Sequence, residues 1–143
     1  MYSVYQLVKI PTDKIRSAWP DVSPLLQKVV DVAPDELTLE GILNRVLKKQ
    51  EDLMVVTLEN TIVAAFTIGI HKVDTGKKQL CIPVISGDDM PQWLADITEQ
   101  VADLARDYGC YQVKALGARK GWSKVFKEYG ATNGNRCTLS INI

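Results

Sequence analysis

The residues whose types and spacing suit chemistry fall in two short stretches. One is Ser86-Gly87-Asp88-Asp89-Met90; the other is Gly117-Ala118-Arg119-Lys120-Gly121, with Trp122 and Lys124 just beyond it. The first sets a glycine and two carboxylates ahead of a long helical pattern. Backbone N–H groups at such a point can hold an anion, and the aspartates can hold a metal or a basic partner. The plainer role for Asp88 or Asp89 is helix N-cap, which is the reading adopted. The second stretch combines three cations with an indole, a set that can grip a phosphate or a nucleic-acid backbone while Trp122 stacks. Its plainer role is a solvated turn with Trp122 packed on a sheet. Tyr129 offers a phenolic proton, and Glu59 and His71 are side chains able to accept one, although both stand at turns.

No metal site is expected. Cys81, Cys110 and Cys137 are far apart, none lies in a CxxC pair, and His71 is the only histidine. Free thiols in a reducing compartment fit this pattern better than a disulfide framework. Lysine plus arginine and aspartate plus glutamate both number 17, so no general field draws in nucleic acid or an anionic membrane, and neither is expected as a partner. The N-terminus lacks the charged and apolar regions of a signal peptide. The longest apolar run, Ile62 to Ile70, is too short to cross a bilayer. With 143 residues, 46% of them hydrophobic, the chain is read as one domain over residues 1–143.

The two stretches need elements to position them. Gln79 to Leu116 reads as a β-α-β unit, in which LCIPVI and YQVKAL flank an amphipathic helix. Ligands of such units collect at the carboxyl ends of the strands, where both stretches lie. Pro83 inside the first strand implies a bulge or an end of regular pairing. The crossover helix should bury Trp93, Leu94, Ile97, Val101, Leu104, Ala105 and Tyr108, and Gly109 should end it. A short helix with Val125, Phe126 and Tyr129 and a terminal strand over Arg136 to Ile143 follow.

Upstream, Tyr2 to Ile10 reads as a strand. The helical segment after Pro11 should break into two at Pro20 and Pro24. Leu37 to Lys49 reads as a further helix, with a partial capping signal at Thr38. Leu53 to Leu58 and Thr61 to His71 form a hairpin about Glu59-Asn60, and a second turn at Asp74 to Lys77 leads into the β-α-β unit. The order β-α-α-β-β-β-α-β-α-β implies an α/β protein with a mixed central sheet and helices on both faces.

That order, together with VFKEYGA at Val125 to Ala131, resembles the GNAT family of N-acetyltransferases. The resemblance implies a GNAT-like mixed sheet of about six strands. It also implies acetyl-CoA as cofactor, Ser86 and Gly87 holding the cofactor, and Tyr129 as the acid. The chain departs from the family pattern in two places. The pyrophosphate loop keeps one glycine, has no arginine, and carries Asp88 and Asp89; like charges about 4 Å apart cost on the order of 4 kcal/mol at an effective dielectric of 20. The family's tyrosine position falls on Phe126, which has no proton to give. Ile15-x-x-Ala18-Trp19, Ile85-Ser86-Gly87, Trp93 and Gly117-x-Arg119-x-Gly121-Trp122 also resemble a group of small bacteriophage proteins. The expectation is a non-catalytic GNAT-like protein without a cofactor, in the host cytoplasm or the virion, with a virion or host protein as partner. A partner or anion would meet Arg119, Lys120, Trp122 and Lys124. The alternative is an acyl-CoA-dependent N-acetyltransferase with a remodelled loop. Self-association through the last strands stays open.

Overall fold

A computed structural model of the chain describes residues 4–87, 90–115, 132–133 and 139–142. The elements are β1 (Tyr5–Lys9), a 3-10 turn (Thr12–Lys14), α1 (Ile15–Val32), α2 (Leu39–Leu47), β2 (Asp52–Leu58), β3 (Thr61–Lys72), β4 (Lys78–Gly87), α3 (Met90–Asp107), β5 (Cys110–Ala115), β6 (Thr132–Asn133) and β7 (Leu139–Asn142). The strands form one sheet in the order β1-β2-β3-β4-β5-β7-β6. β4 and β5 are parallel, as the β-α-β reading requires, and the other neighbouring pairs are antiparallel. Among the described residues the sheet has seven strands, close to the six or so expected; the two-residue β6 is too short to show in a hydrophobic pattern.

Two cores lie on opposite faces. On one, α3 places Trp93, Ile97, Val101 and Ala105 against Met54, Phe66, Leu80 and Ile82. On the other, α1 and α2 place Ile15, Val22, Leu26, Ile42 and Val46 against Leu53, Val55, Ala65 and Val84. Trp93 is fully enclosed, so its burial alone contributes several kcal/mol, on the order of the 3–5 lost when a core tryptophan is cut to alanine. Tyr108, expected on the same helix face, lies beyond the last turn and is 37% exposed.

The prolines do not break α1. Pro20 and Pro24 lie inside one continuous helix. They are four residues apart, and both are exposed, so the backbone bonds they remove lie on the solvent side. Each interior proline costs about 3 kcal/mol. Ile15, Val22 and Leu26, fully enclosed on the opposite face, return about 1.5–3 kcal/mol each, with further gain from partly buried Trp19, Leu25, Val29 and Val30. Tertiary burial therefore offsets what local propensity disfavours.

Capping and turn residues fix the remaining joints. Thr38 is the N-cap of α2, its hydroxyl accepting from the Gly41 N–H at 2.9 Å. α2 therefore runs over Leu39–Leu47, shorter than the Leu37 to Lys49 expected. Glu59 and Asn60 both have positive φ, 49° and 69°, as a two-residue hairpin with a primed turn demands. Gly76 and Gly109 take positive φ where the second hairpin turns and where α3 ends. An amide chain sets the register at the far end of the sheet. Gln79 Nε2 donates to Gln112 Oε1 at 2.7 Å, and Gln112 Nε2 donates to Asn142 Oδ1 at 2.9 Å. It ties β4, β5 and β7 across three in-register positions.

Candidate functional site

Pro83 decides the shape of β4. Thr67 pairs with Val84 and Gly69 with Cys81, so Ile68 alone faces both Ile82 and Pro83. This is a β-bulge with its extra residue on β4, at the one residue that has no N–H to give a ladder. The bulge reverses which face each residue serves. Leu80 and Ile82 belong to the α3 core, whereas Val84 belongs to the α1 core and Ile85 turns to the α3 side.

Over the described residues β4 runs parallel to β5 from Lys78 opposite Cys110 to Ile82 opposite Ala115. Val84 to Gly87 pair with β3 and lead towards α3. The carboxyl end of a parallel strand just ahead of a helix N-terminus is where ligands of β-α-β units collect.

Ser86 and Gly87, expected in the loop, are the last two residues of β4, paired with Ala65 and Ala64. The strand continues because β3 offers a partner for them, which a loop-like Ser-Gly pair conceals in the sequence. Ser86 is buried, and its hydroxyl has no hydrogen-bond partner among the described residues. Gly87 is a packing glycine: a Cβ there would collide with the Ala64 side chain and would stand 3.0 Å from Val63 O. The space that would make it a phosphate cradle is already filled by β3.

Asp88, Asp89, Arg119, Lys120, Trp122, Lys124, Phe126 and Tyr129 lie outside the described residues. The two possible bases are placed clearly. His71 pairs with Gln79 and is exposed. From Gln79 to Ser86 is roughly 23 Å along the strand at about 3.3 Å per residue, so His71 stands at the wrong end of β4. Glu59 is exposed in the β2–β3 turn, at the same end of the sheet as Gly87, which pairs with Ala64 near the start of β3. Pro83, Val84, Ile85, Ser86 and Gly87 include no titratable side chain.

Burial raises the thiols of Cys81 and Cys110, with Lys114 and Lys78 opposing the rise in turn. Both are therefore poor nucleophiles. Among the described residues no group of three or more metal-ligating side chains occurs, and no helix is long and apolar enough to cross a membrane. A groove of about 240 Å³, lined by residues including Lys49, Glu51, Asp52 and Gly69, lies at the start of β2. Its Glu51 carboxylate is held by Arg45 at 2.8 Å.

The signal that sequence reasoning did not use is Gln100. The Leu7 N–H donates to Gln100 Oε1 and Gln100 Nε2 donates to the Tyr5 carbonyl, each at 2.9 Å. One side-chain amide thus plays the part of a neighbouring strand for β1 and anchors α3 across the sheet.

No protein-family model matches the chain, and no curated protein matches it. Solved structures do. A GNAT family acetyltransferase from Elizabethkingia anophelis with acetyl-CoA bound superposes with a TM-score of 0.68 at 11% identity, covering 99% of each chain. Glucosamine-6-phosphate N-acetyltransferase from Arabidopsis thaliana gives 0.61 at 16% identity, covering 92% of this chain and 93% of the other. A mutant AtaT toxin bound to the C-terminus of its antitoxin AtaR gives 0.63 at 9% identity, covering 96% and 91%. The fold is the GNAT fold. The carboxyl end of β4 and the entrance to α3 form the candidate site, and at these identities the likeness to the solved structures concerns architecture alone.

Proposed function

We propose that this chain is a non-catalytic GNAT-fold protein that serves as an interaction scaffold. The observation that carries the reading is the chemistry at the carboxyl end of β4. From Pro83 to Gly87 no side chain takes or gives a proton at ordinary pH; of the two candidate bases on the hairpin, His71 pairs at the opposite end of β4 and Glu59 lies in the β2–β3 turn rather than on β4. Asp88 and Asp89 add negative charge at the point where a pyrophosphate would approach α3. The resemblance to small bacteriophage proteins favours a virion-associated or host-directed version, with a protein partner reached through Arg119, Lys120, Trp122 and Lys124. The toxin bound to its antitoxin supports the idea that this architecture takes protein partners.

Quantitative mass spectrometry of purified phage particles, with the infected-cell lysate as reference, tests the scaffold role. The reading expects the protein in particles at fixed stoichiometry, or in a defined complex with a host protein that charge reversal at Arg119 and Lys120 dissolves. Recovery as free protein in both fractions would overturn it.

A second reading, an acyl-CoA-dependent N-acetyltransferase, is favoured by the parallel β4–β5 pair with β4 running into the start of α3 and by the acetyl-CoA-bound neighbour. Backbone groups of Val84 to Gly87 would hold the cofactor, which supplies the activated acyl group, and Tyr129 would donate the proton to the departing thiolate. Thiol release from acetyl-CoA in the presence of a panel of amines, abolished in Tyr129→Phe, would establish this reading in place of the first.

A further inference from the structure

Two buried hydroxyls on the α1 face of the sheet lack hydrogen-bond partners among the described residues. Thr67 is 0% exposed and Ser86 1% exposed, and neither Thr67 Oγ1 nor Ser86 Oγ makes a hydrogen bond within the described residues. They are close neighbours. Thr67 pairs with Val84 and Ser86 with Ala65, so the four residues form one block of the β3–β4 ladder. Ala65 and Val84 both lie in the core beneath α1, which puts Thr67 and Ser86 on the same face, one diagonal step apart. The bulge at Pro83 creates this juxtaposition, because it turns Val84 and Ser86 to the α1 side while Leu80 and Ile82 face α3.

An orphaned buried hydroxyl is destabilising, and two side by side in an otherwise apolar core call for a shared partner. Diagonal Cβ atoms on neighbouring strands are about 7 Å apart or somewhat less, and hydroxyls turned inwards shorten the gap to about 5 Å. One water molecule, at about 2.8 Å from each oxygen, spans that gap.

We propose that Thr67 and Ser86 form a binding site for one internal water molecule, enclosed between the β3–β4 ladder and α1. One hydroxyl donates to the water, and the water donates to the other. The site binds solvent as a structural component, and it stands whether or not the protein handles an acyl-CoA.

A high-resolution crystal structure of the full chain, combined with a double-mutant cycle, tests this. The expected result is density for one water within hydrogen-bond distance of both hydroxyls. Thr67→Val and Ser86→Ala should each lower the melting midpoint, and the double variant should lower it by less than the sum, because no orphan then remains. If either single variant fails to fold, the wild-type density decides. Hydroxyls bonded directly to backbone carbonyls with no water between them, or melting shifts that add, would overturn the proposal.

Discussion

Gly87 faces Ala64 across the β3–β4 ladder so closely that no side chain fits on the glycine. The contact lies at the last residue of β4. It explains the glycine by sheet packing, where the family pattern would have led one to read a phosphate cradle.

Gly87→Ala should therefore cost about 1–3 kcal/mol, the usual range for overpacking a filled site. Ala64→Gly in the same chain should recover much of that loss, since it removes the atom that collides. Urea unfolding of the two singles and the double checks this. A neutral Gly87→Ala would mean that β3 and β4 do not approach as described.

Gln100→Ala should destabilise by about 1 kcal/mol. It deletes two hydrogen bonds to a partly buried strand edge that water can reach in part, which places the loss at the lower end of the range for orphaned groups. Amide exchange at Leu7 should accelerate more than the loss of global stability accounts for, because that N–H loses its acceptor. Unchanged exchange there would show that α3 does not guard β1.

Lys49 takes φ of 61° just after α2, where Gln50 N–H donates to Arg45 O and Lys49 N–H to Val46 O. This is a helix-terminating motif that ordinarily employs glycine. Lys49→Gly should stabilise the protein by about 0.5–1 kcal/mol, the left-handed penalty of about 1–2 kcal/mol being partly cancelled by glycine's freer unfolded state. A drop in the denaturation midpoint would contradict the motif.

The raised thiols of Cys81 and Cys110 carry a sign that can be checked. A pKa above the ordinary value leaves less thiolate at mildly alkaline pH, and thiolate is the reactive form. Alkylation mapped by peptide at about pH 8 should be about tenfold or more slower at both cysteines than in the urea-unfolded chain. Equal rates would show that burial does not protect them.

Much of the scaffold is legible in the residues themselves, because the relevant physics is local. Pro83 announces its bulge by lacking an N–H, Glu59-Asn60 and Gly76 announce tight turns, and the spacing of Trp93, Ile97, Val101 and Ala105 announces the buried face of α3. What escapes sequence reading depends on a distant partner. The continuity of α1 through Pro20 and Pro24 follows from burial of Ile15, Val22 and Leu26 on the sheet. Ser86 and Gly87 become strand because Ala65 and Ala64 are there to pair with them. Gln100 has no local signature, since a glutamine in mid-helix ordinarily faces solvent. The candidate site is legible to a lesser degree: its β4 half is described, whereas Arg119, Lys120, Trp122, Lys124 and Tyr129 fall outside the described residues.

The proposal at the centre is a GNAT-fold chain that does not bind acyl-CoA, and a thermal-shift titration of the full chain with acetyl-CoA tests it most directly. A ligand with a Kd of about 10 μM, present at about 1 mM, would add about 2.7 kcal/mol to the native state, a rise of several degrees for a chain of this size. The account predicts a melting midpoint that does not move up to about 1 mM acetyl-CoA. A saturable rise that coenzyme A reproduces would contradict it and would make the carboxyl end of β4 a candidate cofactor site.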